Sequence, residues 1–145
     1  MWQLKPYNGN SIMEISCEKH LNEKRQYMQS GNPLLDITFQ FSLDIVQFVE
    51  ALHLNKKFVI SHQLLKSGTS IGANCREVQH AESRADFIHK LKIAIKEAEE
   101  TKYWLLICEH SPQYPNPINL LQLNEQILKH INKIIYSSIQ NKTVQ

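Results

Sequence analysis

The stretch KSGTSIGANCREVQHAES, residues 66–83, holds Gly68 and Gly72 among Ser67, Thr69, Ser70, Ala73 and Asn74. Glycines and hydroxyls packed this densely are the material of a phosphate-cradling loop. A loop of the Walker kind needs G-x-x-x-x-G-K-[ST], so that backbone amides and one lysine surround the phosphates. Here the glycines stand one residue too close, Ala73 follows the second, and no strand precedes the first. The dinucleotide fingerprint G-x-G-x-x-G is missing too. The other reading is helix, with Gly68 and Gly72 four apart on one face. Each glycine costs about 1 kcal/mol against alanine in a helix interior. A sequence that accepts this twice needs close backbone approach to a neighbour. Ala94 and Ala98, also four apart, are the expected matching surface.

Metal chemistry is the second candidate. Helical bundles hold paired ions through Glu-x-x-His on two helices and lone glutamates on two others. Glu50-Ala-Leu-His53 and Glu77-Val-Gln-His80 have that spacing, with Glu97, Glu100 and Glu125 to complete a set. Both pairs, however, fall near the C-terminal ends of consecutive helices. In an antiparallel hairpin those ends lie on the order of 30 Å apart. No metal site, cofactor or catalytic residue is therefore expected. The seven histidines form no constellation with a serine or cysteine nucleophile. Glu97, Glu99 and Glu100 read as a solvated face, with local pairing of Glu97 to Lys92 or Lys96 and of Glu99 to Lys102.

The basic residues are more suggestive. Between residues 56 and 102 nine lysines and arginines stand against six acids. A weak polyanion-binding face built from Lys66, Arg76, Lys90, Lys92 and Lys96 is one reading; scattered surface charge is the other. Without evident stacking aromatics, such a face would bind through phosphates and be salt-dependent.

These residues need elements to position them. The chain has 145 residues, is 42% hydrophobic and 21% charged, and contains only four Gly and five Pro. That is one helix-rich globular domain. Cys17, Cys75 and Cys108 make no CxxC pair and read as free thiols of a reducing cytoplasm. No apolar run reaches the length of a signal core or membrane span, so no membrane partner is expected.

Residues 1–33 form a polar N-terminal tail, with a weak helix over 12–27, an alternative start at Met28, and the turn SGNP at its end. Residues 34–54 are a helix whose stripe is Ile37, Phe41, Ile45, Phe48 and Leu52. Phe39, Leu43, Val46 and Val49 make much of its opposite side apolar as well. A second helix runs from about Lys56 to Val78. Ser83, with Asp86 three residues on, starts a third. It continues to about His110 along Phe87, Leu91, Ala94, Ala98, Thr101, Leu105 and Cys108. The prolines of SPQYPNP break the chain. A last helix over 118–139 carries Leu120, Leu123, Ile127, Ile131, Ile134 and Tyr136 inward or nearly so. Residues 34–140 are thus an all-α, up-down-up-down four-helix bundle, and 141–145 a C-terminal tail. The double-sided first helix calls for burial beyond one subunit's core.

NPLLDITFQFSLDIVQF, SGTSIGANCREVQHAESRADFIHKL and IAIKEAEETKYWL together resemble a known family over roughly residues 30–140. It is the bacterial four-helix-bundle proteins first met in intervening sequences of large-subunit ribosomal RNA genes. The positions that carry the likeness are Ser70, Gly72, Asn74, Glu77, Asp86, Phe87 and Trp104. Cys75 departs from the pattern, standing where the family more often has an aliphatic residue. The resemblance implies a ring-like homo-oligomer, a homopentamer, with no enzymatic activity. It also implies kinship with the basic accessory variability proteins of diversity-generating retroelements, which associate with a reverse transcriptase and nucleic acid. The net charge of this chain, only +2, is low for such a role. The expected function is a non-enzymatic scaffold or adaptor that holds RNA, DNA or a nucleic-acid enzyme. A protein-only assembly factor and a metal-binding bundle are the alternatives.

Overall fold

A computed structural model describes residues 30–140. The N-terminal helix and the start at Met28 expected from the sequence lie outside the described residues, as do Cys17 and the tail 141–145. The described part is four helices: α1 Pro33–Leu54, α2 Phe58–Glu77, α3 Arg84–Glu109 and α4 Ile118–Gln140, with a 3-10 turn Val78–His80 after α2. They pack antiparallel in sequence order, and α4 returns against α1 to close the bundle. The α1–α2 and α2–α3 seams are the closest packed, the α1–α4 seam the least.

Local signals place the helix ends. Asn32 caps α1 by accepting from the Leu34 amide, and Pro33 takes the first position, where its missing N–H costs nothing. Ser83 Oγ accepts from the Asp86 amide at 3.1 Å. The Asp86 carboxylate reaches back to the Glu82 amide, one residue beyond the box geometry. Asn116 Oδ1 accepts from the Ile118 amide at the start of α4.

The C-terminus of α1 is a Schellman closure. Lys57 N–H bonds to Leu52 O and Lys56 N–H to His53 O, both at 2.9 Å. The motif requires a left-handed residue, and Lys56 supplies it with φ +57. A side chain in that region costs about 1–2 kcal/mol, part of which glycine would lose again in unfolded-state entropy. Lys56→Gly should therefore raise stability by about 0.5–1 kcal/mol in urea denaturation. Lys57 then crosses to the α3–α4 connection, with Nζ 3.3 Å from Gln113 Oε1 and 4.9 Å from the Tyr114 ring centre.

The core follows the expected stripes with three corrections. Val49 is buried, although it was expected on the far side of α1, while Ile37 and Phe48 are only half-buried. Tyr136 is 65% exposed rather than inward, and Ile135 takes the core position beside it. Asn124, skipped in the apolar stripe of α4, is fully buried. The α3 stripe is buried from Leu91 to Cys108, with Phe87 half-covered at its start.

Candidate interaction surface

The glycine stretch is helix, and both glycines are buried against α1. A Cβ on Gly68 would stand 2.9 Å from Ile45 Cγ1, and one on Gly72 would stand 3.3 Å from the Thr38 carbonyl oxygen. Backbone approach is thus why the glycines are there. The expected partner was the wrong helix, because Ala94 and Ala98 lie on α3. The Ala98 carbonyl accepts from Asn124 Nδ2 of α4 at 3.0 Å. The side of α2 that meets α3 carries Ser67, whose hydroxyl lies 2.9 Å from Thr101 Oγ1. Thr101 Oγ1 also sits 2.7 Å from Glu97 O, and Ser67 Oγ 3.0 Å from Gln63 O. Each hydroxyl has one proton, so the pair makes two of these three bonds at a time.

Phe39, Leu43 and Val46 follow each other along α1 at helical spacing. Phe58, Leu65 and Arg76, seven and eleven residues apart, share one face of α2. The two rows meet where the Arg76 guanidinium lies 5.4 Å from the centre of the Phe39 ring. Leu43, Val46 and Leu65 are 36–37% exposed and Phe58 is 58% exposed. At the turn beyond them Leu54 and Val59 stand 86% and 75% exposed, and His53 packs edge-on against Phe58. Other exposed apolar side chains lie elsewhere, Tyr103 and Leu106 on α3 and Tyr136 and Ile139 on α4.

The candidate nucleic-acid residues do not converge on one face. Arg76 belongs to the α1–α2 flank. Lys90 turns toward α2, its Nζ 3.2 Å from Glu77 Oε2. Lys92 and Lys96 sit exposed one helical turn apart on α3, and Lys66 is exposed on α2. Lys102 pairs across helices with Glu125 at 3.2 Å rather than with Glu99. A feature that residue counting over 56–102 hid is that residues 51–76 contain no acid at all, against Lys56, Lys57, Lys66 and Arg76.

Asn74 Nδ2 donates to Ser70 O at 2.8 Å, and both residues are half-buried. Trp104 lies edge-on to Tyr103, with its Nε1 buried and without an acceptor. Glu50 and His53 lie at one pole of the bundle and Glu77 and His80 at the other. Among the described residues no three potential ligands gather around a metal position. Cys75 and Cys108 are free and buried, and burial pushes their thiols up to about 12 and about 11.

The profile of the family described as 23S rRNA-intervening sequence protein matches residues 34–137, the whole bundle. The chain belongs to that family. One solved relative is a crystal structure of a protein of unknown function from the S23 ribosomal protein family of Bacteroides thetaiotaomicron VPI-5482. It is 42% identical, covers 70% of this chain and 97% of its own, and superposes with a TM-score of 0.68. No curated protein matches. For this 23S rRNA-intervening sequence family member the resemblance of its motifs therefore holds at the level of family and fold. Among the described residues, no helix is long and apolar enough to cross a membrane.

Proposed function

We propose that this chain is a non-enzymatic, cytoplasmic scaffold or adaptor that assembles as a ring-like homopentamer through its α1–α2 flank. The observation that carries the reading is the apolar row Phe39, Leu43, Val46, Leu65 and Phe58 on two helices locked together by buried glycines. A flat, rigid, apolar flank is what a stable subunit contact requires. Further apolar side chains on α3 and α4 supply a different surface for the neighbouring copy. Contact between two different surfaces generates rings where the rotation closes. Native mass spectrometry should give a pentamer for the wild-type chain. Val46→Asp combined with Leu43→Asp should give single subunits of unchanged helix content. A wild-type chain that stays a single subunit at high concentration overturns the assembly.

In such an assembly the acid-free segment 51–76 repeats around the ring, and weak phosphate-directed binding of RNA, DNA or a nucleoprotein is the proposed activity, with Lys66, Arg76, Lys90, Lys92 and Lys96 as the candidate contacts. Binding should fall steeply between about 50 and 200 mM salt in filter assays on mixed RNA and DNA. Absence of binding at the lower salt removes this clause. A second reading, a protein-only assembly factor, draws on Leu54 and Val59, which phosphates cannot satisfy. Co-purification that survives nuclease treatment separates the two.

A further inference from the structure

Lys102 and Glu125 meet across the α3–α4 seam, with Nζ and Oε2 3.2 Å apart. From that pair, steps of three and four residues follow one face of each helix. On α3 they reach Glu99, Ile95, Lys92 and Ile88; on α4 they reach Lys129, Asn132 and Tyr136. The helices are antiparallel, so both rows run toward the same end of the bundle. Lys92 lies about 15 Å along the axis from Lys102, and Tyr136 about 16 Å from Glu125. The two stand level.

Charge changes along this seam. Glu99 is level with Lys129, but beyond them residues 87–96 and 126–140 contain no acid. Lys92 is exposed there, as are Lys96 and Lys133, each one helical turn from a member of the rows. Among the described residues these three lysines have no ion-pair partner. Tyr136, expected in the core, stands 65% exposed in their midst, while Ile135 takes the buried position. A lysine cluster alone holds phosphates of any strand. An exposed tyrosine ring adds a surface on which a base stacks, and only an unpaired base has a face to offer it. We propose that the half of the α3–α4 seam beyond Glu99 is a site for single-stranded RNA or DNA, where Tyr136 stacks a base and Lys92, Lys96 and Lys133 hold the neighbouring phosphates. The site rests on the nucleic-acid binding proposed above, and of those five candidate cations it takes Lys92 and Lys96. Tyr103 and Leu106 lie toward the opposite end of α3 and remain open to a neighbouring copy.

Fluorescence anisotropy of the full chain at about 50 mM salt provides the test. The two probes are a labelled oligothymidylate and a base-free deoxyribose-phosphate oligomer of equal length. The wild-type chain should hold the oligothymidylate about tenfold tighter, the contribution of one stacked base. Tyr136→Ala should abolish that difference and leave the base-free oligomer unaffected, whereas Tyr136→Phe should preserve it. Removing an exposed ring leaves the core in place, which unchanged urea resistance verifies. Lys92→Ala combined with Lys133→Ala should weaken both probes alike and reduce the salt dependence. Equal wild-type affinity for the two probes, full affinity in Tyr136→Ala, or unweakened binding in the lysine variant overturns the site and leaves phosphate binding elsewhere standing. Binding of neither probe removes both.

Discussion

Gly68→Ala should destabilise the bundle by about 1 kcal/mol, and Gly68→Val by about 2–3 kcal/mol, although both are better helix formers than glycine. In isolation the helix gains about 1 kcal/mol from alanine. That gain is outweighed because the new methyl would lie 2.9–3.1 Å from three carbons of Ile45, itself fully buried. Two of them, Cγ1 and Cγ2, are bonded directly to Cβ and cannot swing aside as the far end of a long side chain could. Removing them should reverse the sign. Ile45→Ala alone costs about 2–5 kcal/mol through the cavity it leaves. In that background Gly68→Ala should become neutral or stabilising, a coupling of about 1–2 kcal/mol. Urea denaturation of the four proteins measures it, and equal losses in both backgrounds would refute close approach as the reason for the glycine. Gly72→Ala should cost less, since its nearest contacts, the Ser42 hydroxyl and the Thr38 carbonyl oxygen, lie at 3.2 and 3.3 Å.

The glycines also show where sequence reasoning stopped. Spacing of four correctly put Gly68 and Gly72 on one helix face, and the failed G-x-x-x-x-G-K-[ST] spacing argued against a phosphate loop where the structure has helix. Spacing does not say which neighbour that face meets. Adjacent residues project about 100° apart, so Gly68 and Ser67 of one helix address α1 and α3 respectively. Ala94 and Ala98 were an equally small surface, but theirs is the α3 face whose Ala98 carbonyl meets α4. Helix ends were legible because Pro33, Ser83 and the proline-rich break at 112–117 act locally. Asn124 was not, since a polar residue in an apolar stripe contradicts the very pattern used to find the stripe. Tyr136 misled for the opposite reason, being apolar enough to extend the stripe while its ring faces outward.

The candidate surface was half visible in the same way. An α1 helix apolar on both sides gave the expectation of burial beyond one core. The structure adds that Leu43, Val46, Leu65 and Phe58 are all exposed, and that the two helices touch on that side where Arg76 lies over Phe39. The basic residues went the other way. A net excess over residues 56–102 suggested a shared face, but Lys90 is turned to Glu77 and Arg76 to Phe39. Counting charge along the chain cannot see that α2 and α3 face different neighbours. Binding spread over several faces would gain strength only when copies are brought together, which makes any polyanion affinity depend on assembly.

Above pH 9 the bundle should lose stability through two thiols. Burial pushes Cys75 up to about 12 and Cys108 up to about 11, from an ordinary value of 9.0. Both side chains are at most 1% exposed, so their thiolates have no access to water in the folded state. The folded chain therefore keeps both protons after the unfolded chain has released them. Below about pH 9 neither state ionises and the full stability is present; between about 9 and 12 ionisation favours the unfolded chain increasingly. At about pH 10.5 the combined loss should be about 3–4 kcal/mol relative to pH 8. The comparison is with Cys75→Val combined with Cys108→Ala, which keeps every other ionisable group. Urea denaturation at the two pH values should show the wild-type chain losing more by that amount. Parallel curves would mean that the thiols ionise without unfolding the core. Ellman's reagent gives the kinetic counterpart. At pH 8 Cys75 and Cys108 should react only as fast as the bundle opens, because a protonated, enclosed sulfur is no nucleophile.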